Sequence, residues 1–345
     1  MKNSLEFNIY EQDSIVSGVF TPVNEDSWFN TLESFHNNLD LYQFHEISPQ
    51  DFAFFCEGLL KSEPLFFDSY AHLGMLLFDS RPDLAAKWYK KGFELGLKML
   101  PDNFSGQISW SHLGNRPFLR CHYGHIISLI KKRKFKQAIS EINKHLQWNE
   151  NDNIGVRYLV GELYMLVKNF SAAEDIMDKN ADGHPPYYYS LGLLAFLRKN
   201  YAKAITYFRR GILANPYLAE IITGRKDIIS RKFWHSSSLM FPDLAINFMA
   251  NIGEQLWQKN EKAKIFLDWV LNCSLVLNER SEVVKCRELL QVEHDFNRRR
   301  DIRKIEEQLI KDVSDETSQN LVKRIVIRGE ESWPWEAVSV TSFWA

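Results

Sequence analysis

Apolar residues recur at helical spacing through most of this chain, and the pattern is clearest in residues 187–216. Two consecutive apolar faces occur there, and Asn215-Pro216 ends the second one. The two faces comprise Tyr188, Leu191, Gly192 and Ala195, and then Tyr201, Ala204, Ile205, Phe208 and Gly211. We therefore predict two short amphipathic helices, back to back. Neither helix buries its apolar face alone, so further copies are expected beside it.

The sizes of the side chains in this stretch predict how the two helices pack. Gly192, Ala204 and Gly211 are small, whereas Tyr201 and Phe208 are large. Small residues let helix backbones approach closely, and large residues fill the space that remains. We expect the two helices to interlock through these positions.

The spacing of these positions resembles the consensus of the tetratricopeptide repeat (TPR). Gly161, Tyr164, Phe170 and Ala173 repeat the same offsets, and looser copies occur earlier in the chain. The predicted repeats span residues 68–100, 117–149, 153–179 and 185–216, with a divergent pair from residue 243. The resemblance implies an all-α fold, a right-handed superhelix (solenoid) of TPR-like helix-turn-helix repeats, over residues 67–258.

Different patterns flank the repeats. Residues 1–66 are expected to form an irregular or weakly β N-terminal arm, interrupted by Gly18 and Pro22, followed by capping helices. Residues 259–313 continue as C-terminal helices.

The last segment, residues 314–345, is an aromatic tail with a short predicted strand near residues 322–327. Its large aromatic residues are Trp333, Trp335, Phe343 and Trp344. Exposure of so many aromatic rings would be unfavourable, so the tail is predicted to pack back on the solenoid.

Two short segments resemble a recurrent theme in a set of bacterial TPR proteins. Residues 115–120 read N-R-P-F-L-R, and residues 151–158 read N-D-N-I-G-V-R-Y. The resemblance covers roughly residues 65–258 and departs from the theme at Glu150, where proline is usual. It implies a repeat scaffold and no established biochemical activity.

Three arginines in these segments form the first candidate site. Arg116 and Arg120 share a helix face, and Arg157 begins the next repeat. In stacked repeats their guanidinium groups would line one edge of the concave groove and bind a carboxylate or phosphate. The alternative is structural: Asp152 caps a helix, and the arginines bond to loop carbonyls.

Aromatic and basic residues give two further candidates. Tyr158, Tyr188 and Tyr189 would make the groove suitable for an apolar peptide or a helix, unless they belong to the core. Arg225 begins a basic run with interleaved aromatics, residues 225–235, which suits an acidic peptide or a phosphate backbone. A solvated loop explains that run equally well.

Composition excludes several classes of function. Lys and Arg number 42 against 44 Asp and Glu, a net charge of −2, so no electrostatic feature favours nucleic acid or an anionic membrane. The four cysteines lack a C-x-x-C spacing, which favours reduced thiols over disulfides or a zinc ribbon. His122 and His125 are expected to pack and hydrogen-bond rather than bind metal. No signal-peptide pattern occurs, and a cytoplasmic location is expected.

No catalytic motif is present, so we expect neither an enzyme nor a cofactor. The function that the sequence favours is a protein-protein interaction adaptor or scaffold that binds a peptide or helix in the concave groove. The alternative is a regulatory or sensor protein that binds a small anion or nucleic acid through groove arginines. A helical-repeat enzyme is the least favoured class.

Overall fold

The computed structural model describes residues 4–225, 228–327 and 329–341, with side chains in the last helix up to residue 337. The described chain is mostly helical, as the apolar periodicity predicted. It divides into two compact units, Met1–Leu163 and Tyr164–Ala345. Within these described residues, every helix is too short or too polar to cross a lipid bilayer.

The first unit contains a β-hairpin followed by paired helices. Its elements are β1 (Leu5–Gln12), β2 (Ile15–Pro22), α1 (Glu25–Gln43), α2 (Pro49–Ser62), α3 (Phe67–Leu77), α4 (Pro82–Leu97), α5 (Arg116–Lys131) and α6 (Phe135–Trp148), with α7 (Arg157–Leu166) crossing the boundary between the units.

The N-terminal arm, which we expected to be irregular or weakly β, is a regular hairpin in which β1 and β2 pair antiparallel over their full length. Asp13 and Ser14 form the turn with φ of 51° and 65°. Two consecutive positive φ values match the twist of a hairpin, and such turns usually have the sequence Asn-Gly or Gly-Gly. Asp-Ser is not one of these sequences, so the turn could not be recognised from the sequence. Gly18 lies inside β2, where an added Cβ would come within 2.0 Å of the Phe7 ring.

Side-chain caps fix where the first two helices begin. The Asn24 side chain accepts the N–H of Ser27 at 2.9 Å and caps the start of α1. Ser48 and Asp51 form a reciprocal capping box at the start of α2. Each cap satisfies backbone N–H groups that the first helical turn leaves unpaired.

An aromatic core joins the hairpin to the helices of the first unit. Phe20 from β2 packs against Phe67 of α3 and Phe118 of α5, at ring-centroid distances of 5.5 and 5.0 Å. Phe118 in turn stacks on Phe93 of α4. The hairpin is thus an integral part of this core, and β2 lies beside the starts of α3 and α5.

The second unit is helical apart from one small sheet. Its elements are α8 (Phe170–Asn180), α9 (Pro186–Leu197), α10 (Tyr201–Ala214), α11 (Pro216–Ile222), α12 (Pro242–Phe248), α13 (Glu254–Trp257), α14 (Glu261–Asn272), α15 (Ser274–Val292), α16 (Phe296–Lys311), α17 (Asp315–Gln319), β3 (Ile325–Ile327), β4 (Glu330–Ser332) and α18 (Pro334–Thr341). A π-helical turn, Met249–Gly253, connects α12 to α13.

The predicted interlock of small and large residues in α9 and α10 is confirmed. A Cβ added to Gly192 would lie 2.3 Å from the Phe208 ring, and one added to Gly211 would lie 2.8 Å from the Tyr189 ring. These contacts leave no room for a methyl group, so the two helices approach each other more closely than larger residues would allow.

The C-terminal segment of the described chain contacts α10 and α14. Trp335 is 4% exposed, and its ring lies 4.6 Å from Phe266 and 5.0 Å from Tyr201. Trp333 stacks on Trp335 with an interplanar angle of 6°. The other two predicted tail aromatics, residues 343 and 344, lie outside the described residues.

Candidate functional site

A cavity of about 530 Å³ in the first unit brings together Arg116 and Arg120. Its walls come from β2 and the start of β1, from α1, from the loop before α5, and from the starts of α3 and α5. The apolar wall includes Trp28, Leu32 and Phe66. The polar side chains of the wall are Thr21, His36, Asp68, His112, Arg116 and Arg120. The site therefore combines an apolar chamber with two guanidinium groups.

A fully buried asparagine, Asn115, ties the wall of the cavity together. Its Oδ1 accepts the N–H of Phe20 at 3.1 Å, and its Nδ2 donates to the carbonyl oxygens of Gly18 and Ser109 at 3.0 Å each. These bonds satisfy backbone groups that burial would otherwise leave unpaired. Asn115 thereby fixes β2 and the preceding loop against the start of α5. Asn115 begins the N-R-P-F-L-R segment but was not a predicted site residue, since an asparagine before a helix is usually only a cap.

The long loop before α5 runs along the hairpin. The N–H of Gly18 donates to the Gln107 carbonyl, and the N–H of Gln107 donates to the Val16 carbonyl, both at 2.8 Å. A Cβ added to Gly114 would lie 2.1 Å from the Phe20 carbonyl oxygen. Glycine is required at this position because the two backbones approach so closely.

Arg116 is held at the cavity wall by one edge of its guanidinium. Its Nε donates to the Trp110 carbonyl oxygen at 3.0 Å, and its Cζ lies 5.4 Å from the Trp110 ring centroid. Its two terminal nitrogens make no hydrogen bond or ion pair with any other described residue. The guanidinium is thus oriented before a ligand binds, and its two terminal nitrogens remain available to donate hydrogen bonds to that ligand.

Arg120 also lies over the Trp110 ring, with its Cζ 5.5 Å from the ring centroid, and it forms an ion pair with Asp68. Asp68 belongs to the first turn of α3, where the helix dipole favours a carboxylate. Two guanidinium groups therefore face one carboxylate among the described charged residues of the wall. The excess positive charge lies next to a mainly apolar chamber. Asp68 was not among the predicted site residues, because a lone acidic residue at a helix start gives no specific signal.

The third arginine, Arg157, has a different environment. Its Nε donates to Asp152 Oδ2 at 2.9 Å, and its guanidinium also donates to the Glu150 carbonyl at 3.1 Å. Asp152 accepts the backbone N–H groups of Gly155, Val156 and Arg157 at 2.8–3.0 Å. Among the described residues, the wall of the cavity does not include Arg157. Its contacts match the structural alternative, in which Asp152 caps α7 and the arginine secures the loop.

The tyrosines do not form one aromatic surface. Tyr188 and Tyr189 are 5% and 0% exposed, and their hydroxyl groups bond to Asp182 and to the Asn215 carbonyl. Both are therefore core residues. Tyr158 is half-buried in the first unit, beside Gly155.

The basic run that begins at Arg225 is in contact with helices of the second unit. Arg225 Nη1 lies 3.4 Å from Glu220 Oε1. The Trp234 ring lies beneath the guanidinium groups of Arg299 and Arg303, at 5.0 and 4.6 Å. Residues 226 and 227 of this run lie outside the described residues.

His122 belongs to a buried polar cluster in the first unit. The ring stacks on Phe93 at 4.1 Å, its Nε2 lies 3.0 Å from Glu141 Oε2, and its Nδ1 lies 3.2 Å from His145 Nδ1. Neutral rings satisfy this geometry if His122 donates to Glu141 and accepts from His145. Burial lowers the pKa of His122 well below its usual value and lowers the pKa of His145 to about 3. The described residues contain no cluster of three or more His, Cys, Asp or Glu side chains suited to a metal ion.

Comparison with protein families and with curated protein sequences finds no match to this chain.

Proposed function

We propose that this protein is an interaction adaptor that binds a peptide through the cavity of its first unit, with a peptide carboxylate bound by Arg116 and Arg120. The observation that carries this proposal is the pair of guanidinium groups stacked on Trp110 at the wall of a mainly apolar cavity. Only one of them has a carboxylate partner among the described residues.

The dimensions and chemistry of the cavity favour a peptide segment. Its volume of about 530 Å³ falls within the range of roughly 300–1,000 Å³ that is usual for ligand pockets. Trp28 and Phe66 offer an apolar surface for one side chain, and Arg116 offers a planar fork for a carboxylate next to it. The ligand we propose therefore carries an acidic group adjacent to an apolar residue.

The repeat architecture is the second part of the proposal. We propose that the helix pairs are TPR-like hairpins of a right-handed superhelix and that the protein acts as a cytoplasmic scaffold. The close packing of α9 on α10 through Gly192 and Gly211 supports hairpins of this type.

A small anion is the competing ligand, and the two unoccupied terminal nitrogens of Arg116 favour it. A free anion would use the guanidinium groups and leave the apolar wall unused. A peptide would use both, so its affinity would depend on its apolar residue as well as on its charge.

A display selection with random octapeptides tests the proposal. The three baits are the wild type, an Arg116→Gln/Arg120→Gln variant, and an Arg81→Gln control. Arg81 is an exposed residue of the same unit. We expect the wild type and the control to enrich peptides with an acidic residue beside an apolar one, and the double variant to lose them. Enrichment of the same peptides by the double variant, or of none by the wild type, would contradict the proposal.

A further inference from the structure

Three arginines in the second unit converge on a single carboxylate oxygen. Arg225 Nη1 lies 3.4 Å and Arg280 Nη2 lies 3.5 Å from Glu220 Oε1. The Nη2 atom of Arg231 contacts the same oxygen. The three side chains come from the segment after α11 and from α15. Their convergence is therefore a product of folding rather than of sequence spacing.

The cluster carries more positive charge than its carboxylate neutralises. Glu220 supplies one negative charge against three guanidinium groups, which leaves an excess of two among these described residues. The neighbouring acid, Glu279, is engaged by Arg209. The exposed fractions of the side chains are 9% for Glu220 and 17% for Arg280. Solvent therefore screens this excess charge less than it would at an open surface.

Repulsion within the cluster acts most strongly on the least exposed arginine. Burial lowers the pKa of Arg280, and the positive charge of Arg231 acts in the same direction. Placing like charges together in a partly buried position is unfavourable unless an opposite charge compensates for it. An anion bound between the guanidinium groups would remove that repulsion.

Arg231 is also positioned by contacts with a residue other than Glu220. The backbone N–H of Arg231 donates to the Tyr217 hydroxyl at 2.8 Å, and its guanidinium lies 5.7 Å from the Tyr217 ring centroid. Tyr217 is fully buried, so this support is rigid. Each guanidinium carries five N–H donors, and the bonds to Glu220 use only a few of them.

We propose that Arg225, Arg231 and Arg280 form a binding site for the dianionic phosphate group of a small ligand. A phosphate monoester carries about −1.5 to −2 charges at neutral pH and presents several strong acceptor oxygens to guanidinium forks. Its charge matches the excess of two positive charges in the cluster. This site does not depend on the peptide cavity, which lies in the other unit.

Calorimetric titration at constant ionic strength tests the site. The probes are inorganic phosphate and phosphoserine, and sodium chloride is the control salt. We expect both phosphate probes to bind the wild type. Tighter binding of phosphoserine would identify the natural ligand as a phosphate ester, and tighter binding of inorganic phosphate would identify it as the free ion. Absence of saturable binding of both probes at millimolar concentration would overturn the proposal.

Single substitutions test whether these arginines bind the phosphate. Arg225 is 54% exposed, so Arg225→Gln should fold, and we expect it to weaken phosphate binding about tenfold through loss of a charged hydrogen bond. Glu220→Gln should tighten binding, since it removes the carboxylate that competes with phosphate. Arg300→Gln, an exposed arginine of the same unit, should change nothing. Unchanged phosphate affinity in Arg225→Gln would overturn the assignment, and peptide selection by the cavity would be unaffected by either outcome.

Discussion

Asp68 and Arg120 form an ion pair in which the side chain of Asp68 is 9% exposed and that of Arg120 is 41% exposed. The covered carboxylate holds the guanidinium over Trp110, beside the guanidinium of Arg116. The pair thus orients one arginine and leaves the terminal nitrogens of the other for a ligand.

Removing the charge of Asp68 should strengthen binding of an acidic ligand. Asp68→Asn keeps a hydrogen-bond acceptor for Arg120 but removes the negative charge that competes with the ligand. We expect the affinity for a selected octapeptide to rise by about threefold or more, with the gain decreasing at high salt. Fluorescence anisotropy titration measures it. Asp79→Asn, at a 98% exposed aspartate of the same unit, is the control. Weaker binding by Asp68→Asn would show that Asp68 itself contacts the ligand favourably.

Gly114 should tolerate no side chain. Gly114→Ala places a Cβ 2.1 Å from the Phe20 carbonyl oxygen, so the loop must shift away from β2. We expect a loss of about 1–3 kcal/mol in the free energy of unfolding, measured by urea denaturation. The matched control is Gly58→Ala in α2, where no atom lies within 4 Å of the added Cβ. That substitution should stabilise the protein by about 0.5–1 kcal/mol. Equal effects at both glycines would refute the close approach.

Stability should fall as the pH drops below the ordinary histidine range. His122 and His145 have a pKa in the folded protein below the usual 6.5, with burial as the main cause. The unfolded chain therefore takes up protons first, and folded stability is greatest above pH 6.5. Between about pH 7.5 and about pH 5.5, we expect a loss of about 1 kcal/mol per histidine in the free energy of unfolding.

A variant of His145 tests whether the buried histidines cause this pH dependence of stability. His145→Gln lacks one titrating ring, so its stability should change less over the same pH interval than that of the wild type. His294→Gln, at an exposed histidine, should retain the wild-type dependence. A wild-type stability that rises on acidification would contradict the neutral state of the cluster.

Trp335 should contribute substantially to the stability of the second unit. Its ring contacts Phe266, Trp269 and Tyr201, and it is 4% exposed. We expect Trp335→Ala to cost about 3–5 kcal/mol in the free energy of unfolding, because the ring leaves a cavity among other aromatics. Phe296→Ala, at a ring that is 77% exposed, should have little effect. A comparable loss at both positions would argue against burial as the cause.

Helical periodicity predicted the helical character of the chain and the packing of α9 on α10, because both depend on residues close in sequence. The regular hairpin was not predicted because the Asp13-Ser14 turn lacks glycine. The glycines Gly192 and Gly211 were informative, since each lies against a large aromatic ring. A groove and the core both remained possible for Tyr188 and Tyr189, because sequence spacing alone does not show which face of a helix its neighbours cover.

The site was only partly predictable for a related reason. Arg116 and Arg120 share a helix face, so their association was expected. Trp110 lies in the loop just before the same helix, whereas Asp68 is 52 residues from Arg120 in sequence and reaches it only through folding. The arginine cluster around Glu220 was harder still to predict from the sequence, because Arg280 is 60 residues from Glu220. A sequence pattern shows which charged residues share one helix. It does not show which charged residues of another helix are brought next to them by folding.

The most direct test of the peptide site is a double-mutant cycle between the protein and its ligand. The affinity of the best selected octapeptide, and of its counterpart with the acidic residue replaced by the matching amide, would be measured with the wild type and with Arg116→Gln. If Arg116 binds that carboxylate, each single change weakens binding and the second change adds little, with a coupling of about tenfold or more in affinity. Independent, additive effects of the two changes would show that Arg116 does not contact the peptide carboxylate and would contradict the proposed site.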